Sequence, residues 1–313
     1  MRTRDILGCV SWASFFFFVS ASIPFIGPFF GLLTPLPFLY YSTKLGLYQG
    51  VKLAALAFLF IVLIVELAGQ PRFVLFGLEF SLLGLVLAVI FKRKLEIGQT
   101  IFFATMSMLL LGYSSLFFLA LSKNMGPIEM VIDFFNTQLK EAVKVYEGMG
   151  VPTEKGMELE MYGKAFIDIV SRTYPALMII GTGFAVWLNV IIAKPLFKMG
   201  NLEYPDFRAM DRWKAPDILI WVVIISGFAL FLSSGGIKLL AINALIVMMT
   251  IYFFHGLSIV LFFLNKYHVP PWARFGIYFL TVVQQLFFAI LALAGLFDQW
   301  FDFRKIQRKN ESK

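Results

Sequence analysis

The chain has 313 residues, of which 59% are hydrophobic and only 15% are charged, and its mean hydropathy is +0.81. This balance excludes an ordinary soluble globular protein, because such a chain needs far more polar surface to cover its cores. The single cysteine excludes a disulfide framework, and the net charge of +8 is better explained by basic loops facing anionic lipid than by nucleic acid.

The apolar residues occur in runs of about 17–26, long enough to cross the hydrocarbon core of a bilayer as helices. Helices are therefore the expected spanning element, since each satisfies its own backbone hydrogen bonds. The sequence predicts an all-α fold, a polytopic transmembrane helical bundle. Nine apolar segments can be drawn, at 6–21, 25–41, 51–68, 73–91, 99–122, 175–197, 217–234, 239–264 and 272–296.

The second segment, "PFIGPFFGLLTPLPFLYY", is short and contains four prolines. Proline removes a backbone donor and frees a carbonyl in the preceding turn, so this segment is predicted to be kinked or partly unwound. Such irregular backbone is tolerated within a membrane only where it is buried or lines a cavity. Two interpretations follow, a bent packing helix or a broken helix at a binding site.

The connection 123–173 differs from the others, because it is long and mixes charges of both signs. Its first part predicts a helix that begins at Pro127 and ends at Gly148, with apolar residues at helical spacing on one face. We expect an amphipathic extracytoplasmic insertion, which either packs at the membrane surface or forms a lid over a pocket.

The distribution of Lys and Arg predicts a cytoplasmic N-terminus, because every second connection is then rich in basic residues. The basic tail at 304–313 breaks the pattern, since nine spans would place it outside. Eight or nine spans are therefore both kept. The predicted regions are 1–197, with six membrane helices and the cap 123–173, and 198–313, with three membrane helices and the basic tail.

Familiar catalytic and nucleotide-binding motifs are not found in a usable context, and His255 has no carboxylate or second histidine near it in sequence. We therefore expect no enzyme activity, no cofactor and no metal site.

Polar residues at membrane depth are the candidates for function, since hydrocarbon disfavours them. Glu66 and Glu79 flank a predicted turn and could bind a cation or proton, pair with Arg72, make an inward hydrogen bond, or lie near the interface. The other candidates for substrate binding, or alternatively for hydrogen bonds between helices, are Asn189, Asn243, His255, Gln284 and Gln285.

Two basic and aromatic stretches are candidates for interfacial anchoring or for docking a protein partner. They contribute Arg208, Trp213 and Lys214 in the cytoplasmic loop and Arg304 in the tail. The stretch "GLFDQWFDFRKIQRK" is interpreted as the interfacial end of a helix, with Asp298 and Asp302 on one face and Asp302 within reach of Lys305.

Three stretches, "TYPALMIIGTGFAVWLNVIIAK", "YPDFRAMDRWKAPD" and "GLFDQWFDFRK", resemble the YybS-like family of predicted bacterial membrane proteins. The resemblance covers most of the chain and implies the bacterial cytoplasmic membrane. That family has no established activity.

The N-terminal region is also loosely similar to the substrate-binding components of energy-coupling-factor transporters, which are six-helix vitamin binders. The first helix, "ILGCVSWASFFFF", lacks the ridge of small residues that those components use for docking.

The leading hypothesis is a membrane protein that binds or transports a small molecule through a cavity in its N-terminal helices. The alternative is a scaffold that transports nothing and recruits envelope or cytoplasmic proteins. A polar cavity lined by Glu66, Glu79 or Asn189 would favour the first, and a solidly packed bundle with a protruding surface the second.

Overall fold

The computed structural model describes residues 2–23, 27–67, 74–148, 153–232 and 234–305. Every regular element in these ranges is helical, which confirms the predicted all-α fold. The helices are α1 Thr3–Ser22, α2 Gly27–Gly31, α3 Pro35–Leu45, α4 Leu47–Leu67, α5 Val74–Phe91, α6 Ile97–Ser122, α7 Pro127–Gly148, α8 Thr153–Met199, α9 Leu219–Leu232, α10 Gly236–Lys266, α11 Pro271–Val283 and α12 Gln285–Phe301.

Local signals explain several helix ends. α7 begins at Pro127 and ends at Gly148 as predicted. α6 begins with a capping box, in which the Gln99 side chain accepts a hydrogen bond from the backbone of Glu96. The second apolar segment is broken as its prolines predict, into α2 and α3, with a turn between them at 32–34. Pro35 stands at the start of α3, where its missing N–H needs no partner.

The helices form two compact units that differ from the predicted division at residue 197. Residues Met1–Met130 and Gly181–Phe207 form unit 1, and Val131–Ile180 and Arg208–Lys313 form unit 2. The insertion therefore groups mainly with the C-terminal helices. Two contacts explain this: Leu139 of α7 packs against Gly163 of α8, and Asn243 of α10 is hydrogen-bonded to the backbone of α8 at Arg172 and Ala176.

Aromatic side chains hold the end of unit 1 together. Phe91, Phe197, Tyr204 and Phe207 meet edge to face, with ring centroids 5.4 to 6.0 Å apart. The Tyr204 hydroxyl donates to the carbonyl oxygen of Val190 at 2.7 Å, and burial raises the pKa of this phenol. Edge-to-face contacts stabilise beyond area burial, so the chain after α8 is fixed onto the ends of α5 and α8.

The candidate membrane spans are the helices whose length and apolar composition suit a bilayer. Among the described residues, three helices are long and apolar enough to cross a membrane, namely α6, α8 from Gly156 to Met199, and α10. A fourth candidate is the pair Pro271–Thr281 and Gln285–Phe301, which is bent by 99°. Leu47–Leu63, Gly77–Phe91 and Leu219–Phe231 are apolar but shorter. Eight or nine spans are thus not established by helix length, because several predicted segments are short or broken.

In unit 2, α10 and α12 approach closely because glycines face each other's backbone. A β-carbon on Gly256 would overlap the carbonyl oxygen of Leu291, and one on Gly295 would overlap that of Tyr252. Small residues at such crossings are the usual means by which membrane helices pack without a hydrophobic driving force.

We predict that Gly256→Ala destabilises the protein by about 1–3 kcal/mol, because the added methyl group cannot be accommodated without moving a helix. Gly276→Ala on α11 is the matched control, since a β-carbon there meets nothing within 4 Å. Thermal unfolding of the purified protein in detergent measures both. Equal melting temperatures for the two variants would contradict the close approach of α10 and α12.

Candidate functional site

Three ionisable side chains meet in the interior of unit 2. His255 lies on α10, Asp298 in the last turn of α12, and Arg304 in the chain that follows α12. Asp298 Oδ2 lies 3.1 Å from His255 Nε2 and 2.9 Å from the Arg304 guanidinium, which in turn lies 3.0 Å from His255 Nε2. His255 and Asp298 are fully buried and Arg304 is 6% exposed. We call these three residues the charged network.

The end of α12 directs the two charges toward each other. Asp302 adopts a left-handed conformation, with φ 42°, which ends the helix and turns the chain back. Asp298 Oδ1 accepts a hydrogen bond of 2.8 Å from the backbone N–H of Phe303, so the carboxylate also holds the turn. Arg304 is thereby returned to the same carboxylate, six residues earlier in the chain.

The other arm of the Arg304 guanidinium binds the loop before α9. Its NH1 group donates to the carbonyl oxygens of Asp211 at 2.9 Å and Trp213 at 3.0 Å, and to Ser258 Oγ at 2.9 Å. Ser258 Oγ also donates to the Trp213 carbonyl, at 2.8 Å. One side chain therefore joins α10, α12 and the loop of residues 208–216.

Aromatic rings enclose the network. His255 stacks on Tyr252 at a centroid distance of 6.4 Å and meets Trp213 edge-on at 6.1 Å. The Tyr252 hydroxyl accepts a hydrogen bond of 3.0 Å from Gln299. These neighbours exclude water, so the Asp298–Arg304 interaction is poorly screened.

Arg304 and Asp298 therefore differ from what the sequence suggests. The sequence predicts an interfacial anchor or docking surface for Arg304 and the interfacial end of a helix for Asp298, yet both side chains are buried, because each neutralises the other. Periodicity could not reveal this, since Arg304 lies beyond the helix and reaches back only through the turn at Asp302. The signal available in the sequence is the spacing of Asp298 and Arg304, an acidic and a basic residue six positions apart at the end of an apolar run.

Asn189 lies at the break between α2 and α3 in unit 1. Its Nδ2 donates to the carbonyl oxygen of Leu32, in the broken turn, at 2.7 Å and to Ala185 at 2.8 Å. Its Oδ1 and the hydroxyl of Thr34, two residues after Leu32, are buried and have no hydrogen-bond partner among the described residues. Both residues are completely buried. The break thus contains two buried acceptors that the protein itself leaves unused.

Asn243 has the same chemistry but a different environment. Its Nδ2 donates to Arg172 O at 2.8 Å and Leu239 O at 2.9 Å, and its Oδ1 accepts from Ala176 N at 3.0 Å. Arg172 and Ala176 flank Pro175, at which a regular helix is disrupted. Asn243 is therefore fully used within the protein, which favours the interpretation as a hydrogen bond between helices.

The remaining predicted residues are not brought together. Glu79 is partly buried on α5 against Gly112, where a β-carbon would lie 3.6 Å from its Oε1. Glu66 is exposed near the end of α4, and its predicted turn and Arg72 lie outside the described residues. Gln284 and Gln285 are exposed at the break between α11 and α12 rather than buried in a span.

The predicted docking residues of the loop divide into two kinds. Arg208 is exposed, whereas Trp213 and Lys214 are partly buried. Lys214 Nζ lies 4.0 Å from Asp217, and the Trp213 carbonyl is occupied by Ser258 and Arg304. Trp213 and Lys214 are therefore partly covered by unit 2, whereas Arg208 is exposed.

Two shallow pockets in the described part of the chain lie away from the predicted substrate residues. One, of about 230 Å³, lies between α7 and the start of α8, beside Lys140, Lys144, Glu160 and Lys164. The other, of about 350 Å³, lies at the end of α8 beside Lys194 and Lys198. No cluster of three or more metal-ligating side chains occurs in the part of the chain that the structure describes.

We predict that Asp298→Leu and Arg304→Met each lower stability by about 3–5 kcal/mol, because each leaves one buried charge without its partner. The double variant should recover most of the loss, since no charge then remains unpaired. Denaturant titration of the four proteins gives the coupling energy. Asp168→Asn is the control, because it removes an exposed ion pair to Arg172 and should cost less than about 1 kcal/mol. Additive losses in the double variant would contradict the pairing.

Comparison with known proteins agrees with the resemblance in the sequence. The chain is 24% identical over 289 residues to the uncharacterized protein YybS of Bacillus subtilis (strain 168), covering 90% of each protein. No solved structure matches it. The family described as predicted membrane protein (DUF2232) matches residues 12–299, which is most of the chain. The chain therefore belongs to the DUF2232 family of predicted membrane proteins.

Proposed function

We propose that this membrane protein binds a small polar molecule at the break between α2 and α3 and moves it across the bacterial cytoplasmic membrane. The observation that supports this proposal is the pair of buried, unpartnered acceptors, Asn189 Oδ1 and Thr34 Oγ1. A buried polar atom without a partner costs about 1–3 kcal/mol, so it is kept where something else satisfies it.

The contrast with Asn243 strengthens the assignment. Both asparagines donate to the carbonyl four residues earlier, and Asn189 also donates to a turn carbonyl and Asn243 to a carbonyl of α8. Among the described residues, Asn243 also accepts a hydrogen bond, from Ala176 N, and Asn189 accepts none. Packing alone explains Asn243 completely, whereas it leaves the acceptor of Asn189 unexplained.

The chemistry of the break limits the ligand. The oxygens of Asn189 and Thr34 can accept from an O–H or N–H group, and the side chains flanking them in unit 1 are mainly apolar. The ligand is therefore a small molecule with at least one hydrogen-bond donor. Broken helices that present polar groups at a binding site are a recurrent feature of transporters. The scaffold alternative is weakened, because Trp213 and Arg304 face the interior of unit 2.

We predict that a small molecule co-purifies with the wild-type protein and that Asn189→Leu retains at least about tenfold less of it, because the ligand's donor loses its acceptor. Mass spectrometry of the extracted protein makes the measurement. Asn243→Leu is the matched control, since it destabilises the protein but should still carry the ligand. Equal retention by the two variants, or an empty wild-type protein, would refute the proposal.

We also propose eight complete spans, with the N-terminus and the tail both in the cytoplasm. The last apolar segment is bent by 99° between α11 and α12, so it need not cross as one helix. Arg304 binds the backbone of Asp211 and Trp213, and the loop of residues 208–216 has the basic character of a cytoplasmic connection. Attachment to that loop supports the same side for the tail.

A cysteine at Lys313, introduced into a Cys9→Ala background, should react with an impermeant thiol reagent only after the cells are permeabilised. Cysteines at Lys238 and Arg93 are the controls, the first expected to react on intact cells and the second not. Because Cys9 is the only native thiol, the labelling is unambiguous. Reaction of the residue-313 cysteine on intact cells would support nine spans instead.

A further inference from the structure

The contacts of His255 cannot all be satisfied in one protonation state. Its Nε2 lies 3.1 Å from Asp298 Oδ2, an acceptor, and 3.0 Å from the NH2 group of Arg304, a donor. With its proton on Nδ1, the ring accepts from Arg304 but presents a lone pair to the carboxylate. With a proton on Nε2, it donates to Asp298 but opposes the guanidinium. Nδ1 itself is buried and has no hydrogen-bond partner in the part of the chain that the structure describes.

Charge balance allows two arrangements of these three side chains. In the structure, Arg304 and Asp298 neutralise each other, and a neutral His255 adds no charge. If His255 takes up a proton while Arg304 stays, the buried site carries a net positive charge, which a poorly hydrated interior disfavours. Neutrality returns when the imidazolium pairs with Asp298 and Arg304 leaves for water. A proton can thus replace the guanidinium as the partner of the carboxylate.

The surrounding groups reinforce this exchange. Tyr252 on α10 is bonded to Gln299 and offers the imidazole no charge. From the loop, Lys214 Nζ lies 4.0 Å from Asp217, and neither group is in hydrogen-bond contact with His255 among the described residues. Asp211 accepts from Asn265 through Oδ2, so its carboxylate faces α10 beyond Ser258, nearer the helix end. Asp298 is the one carboxylate in hydrogen-bond contact with His255 among the described residues.

We propose that His255 is a proton-binding site whose occupation releases residues 302–305 from the carbonyls of Asp211 and Trp213. Acidification favours release, because the docked state holds a neutral imidazole and the released state a protonated one. Release would free the Arg304 guanidinium for other contacts.

A nitroxide spin label at Lys305→Cys, in the full chain with Cys9→Ala, reports the docking. Lys305 is exposed and adjoins Arg304, so its label should be restrained when docked and mobile when released. The label is attached at neutral pH, and its spectrum is recorded in nanodiscs from pH 8 to pH 5. We expect the ratio of mobile to restrained label to rise as pH falls, by up to about tenfold per pH unit for one proton.

The chain has only two histidines, which supplies a matched control. His255→Gln can accept from Arg304 and donate to Asp298 without titrating, so its spectrum should stay restrained at every pH. His268→Gln alters the exposed histidine after α10 and should leave the pH response intact. Arg304→Gln should be mobile throughout, which shows that the label detects release even where a variant is less stable.

A wild-type spectrum that is independent of pH would overturn the proposal. So would a pH response that survives in His255→Gln or disappears in His268→Gln. The result is separate from ligand binding at Asn189, because the label and both histidines lie in unit 2.

Discussion

The constraint on which unit 2 depends is that a buried guanidinium requires both a counter-charge and acceptors for its N–H groups. Arg304 obtains the charge from Asp298 and the acceptors from Asp211, Trp213 and Ser258. Since these groups lie on separate segments, satisfying one side chain fixes α10, α12 and the loop before α9 together. The glycine contacts of α10 and α12 allow the helices to come close enough for this to happen.

The same constraint governs the backbone. A proline inside α8 and a broken turn between α2 and α3 each disrupt regular helix, and each is met by a buried asparagine from another helix. In water such groups would be hydrated, but in an apolar bundle only another protein group or a ligand can serve. The two sites differ in whether the side-chain oxygen of the asparagine accepts a hydrogen bond. Asn243 Nδ2 and Oδ1 both form hydrogen bonds within the chain, whereas Asn189 Oδ1 has no partner among the described residues.

Much of the fold could be predicted from the sequence, because helix length, polarity and helix-end signals are local. Pro127 and Gly148 bound α7, and the prolines of the second segment predict the break between α2 and α3. The pairing of charges could not be predicted, because it depends on a turn at Asp302 that no periodic pattern encodes. The predicted boundary at residue 197 differs for a similar reason: contacts between Asn243 and the start of α8 join parts of the chain far apart in sequence.

His255 shows how far position and chemistry can diverge. In the sequence it is a lone histidine in an apolar helix, with no carboxylate or second histidine nearby, and it is a candidate for substrate binding or for a hydrogen bond between helices. The fold places both the Asp298 carboxylate, an acceptor, and the Arg304 guanidinium, a donor, at the same ring nitrogen. An asparagine or glutamine amide has a donor and an acceptor at once and does not titrate. The imidazole instead contacts the rings of Tyr252 and Trp213 and, unlike an amide, can gain a proton.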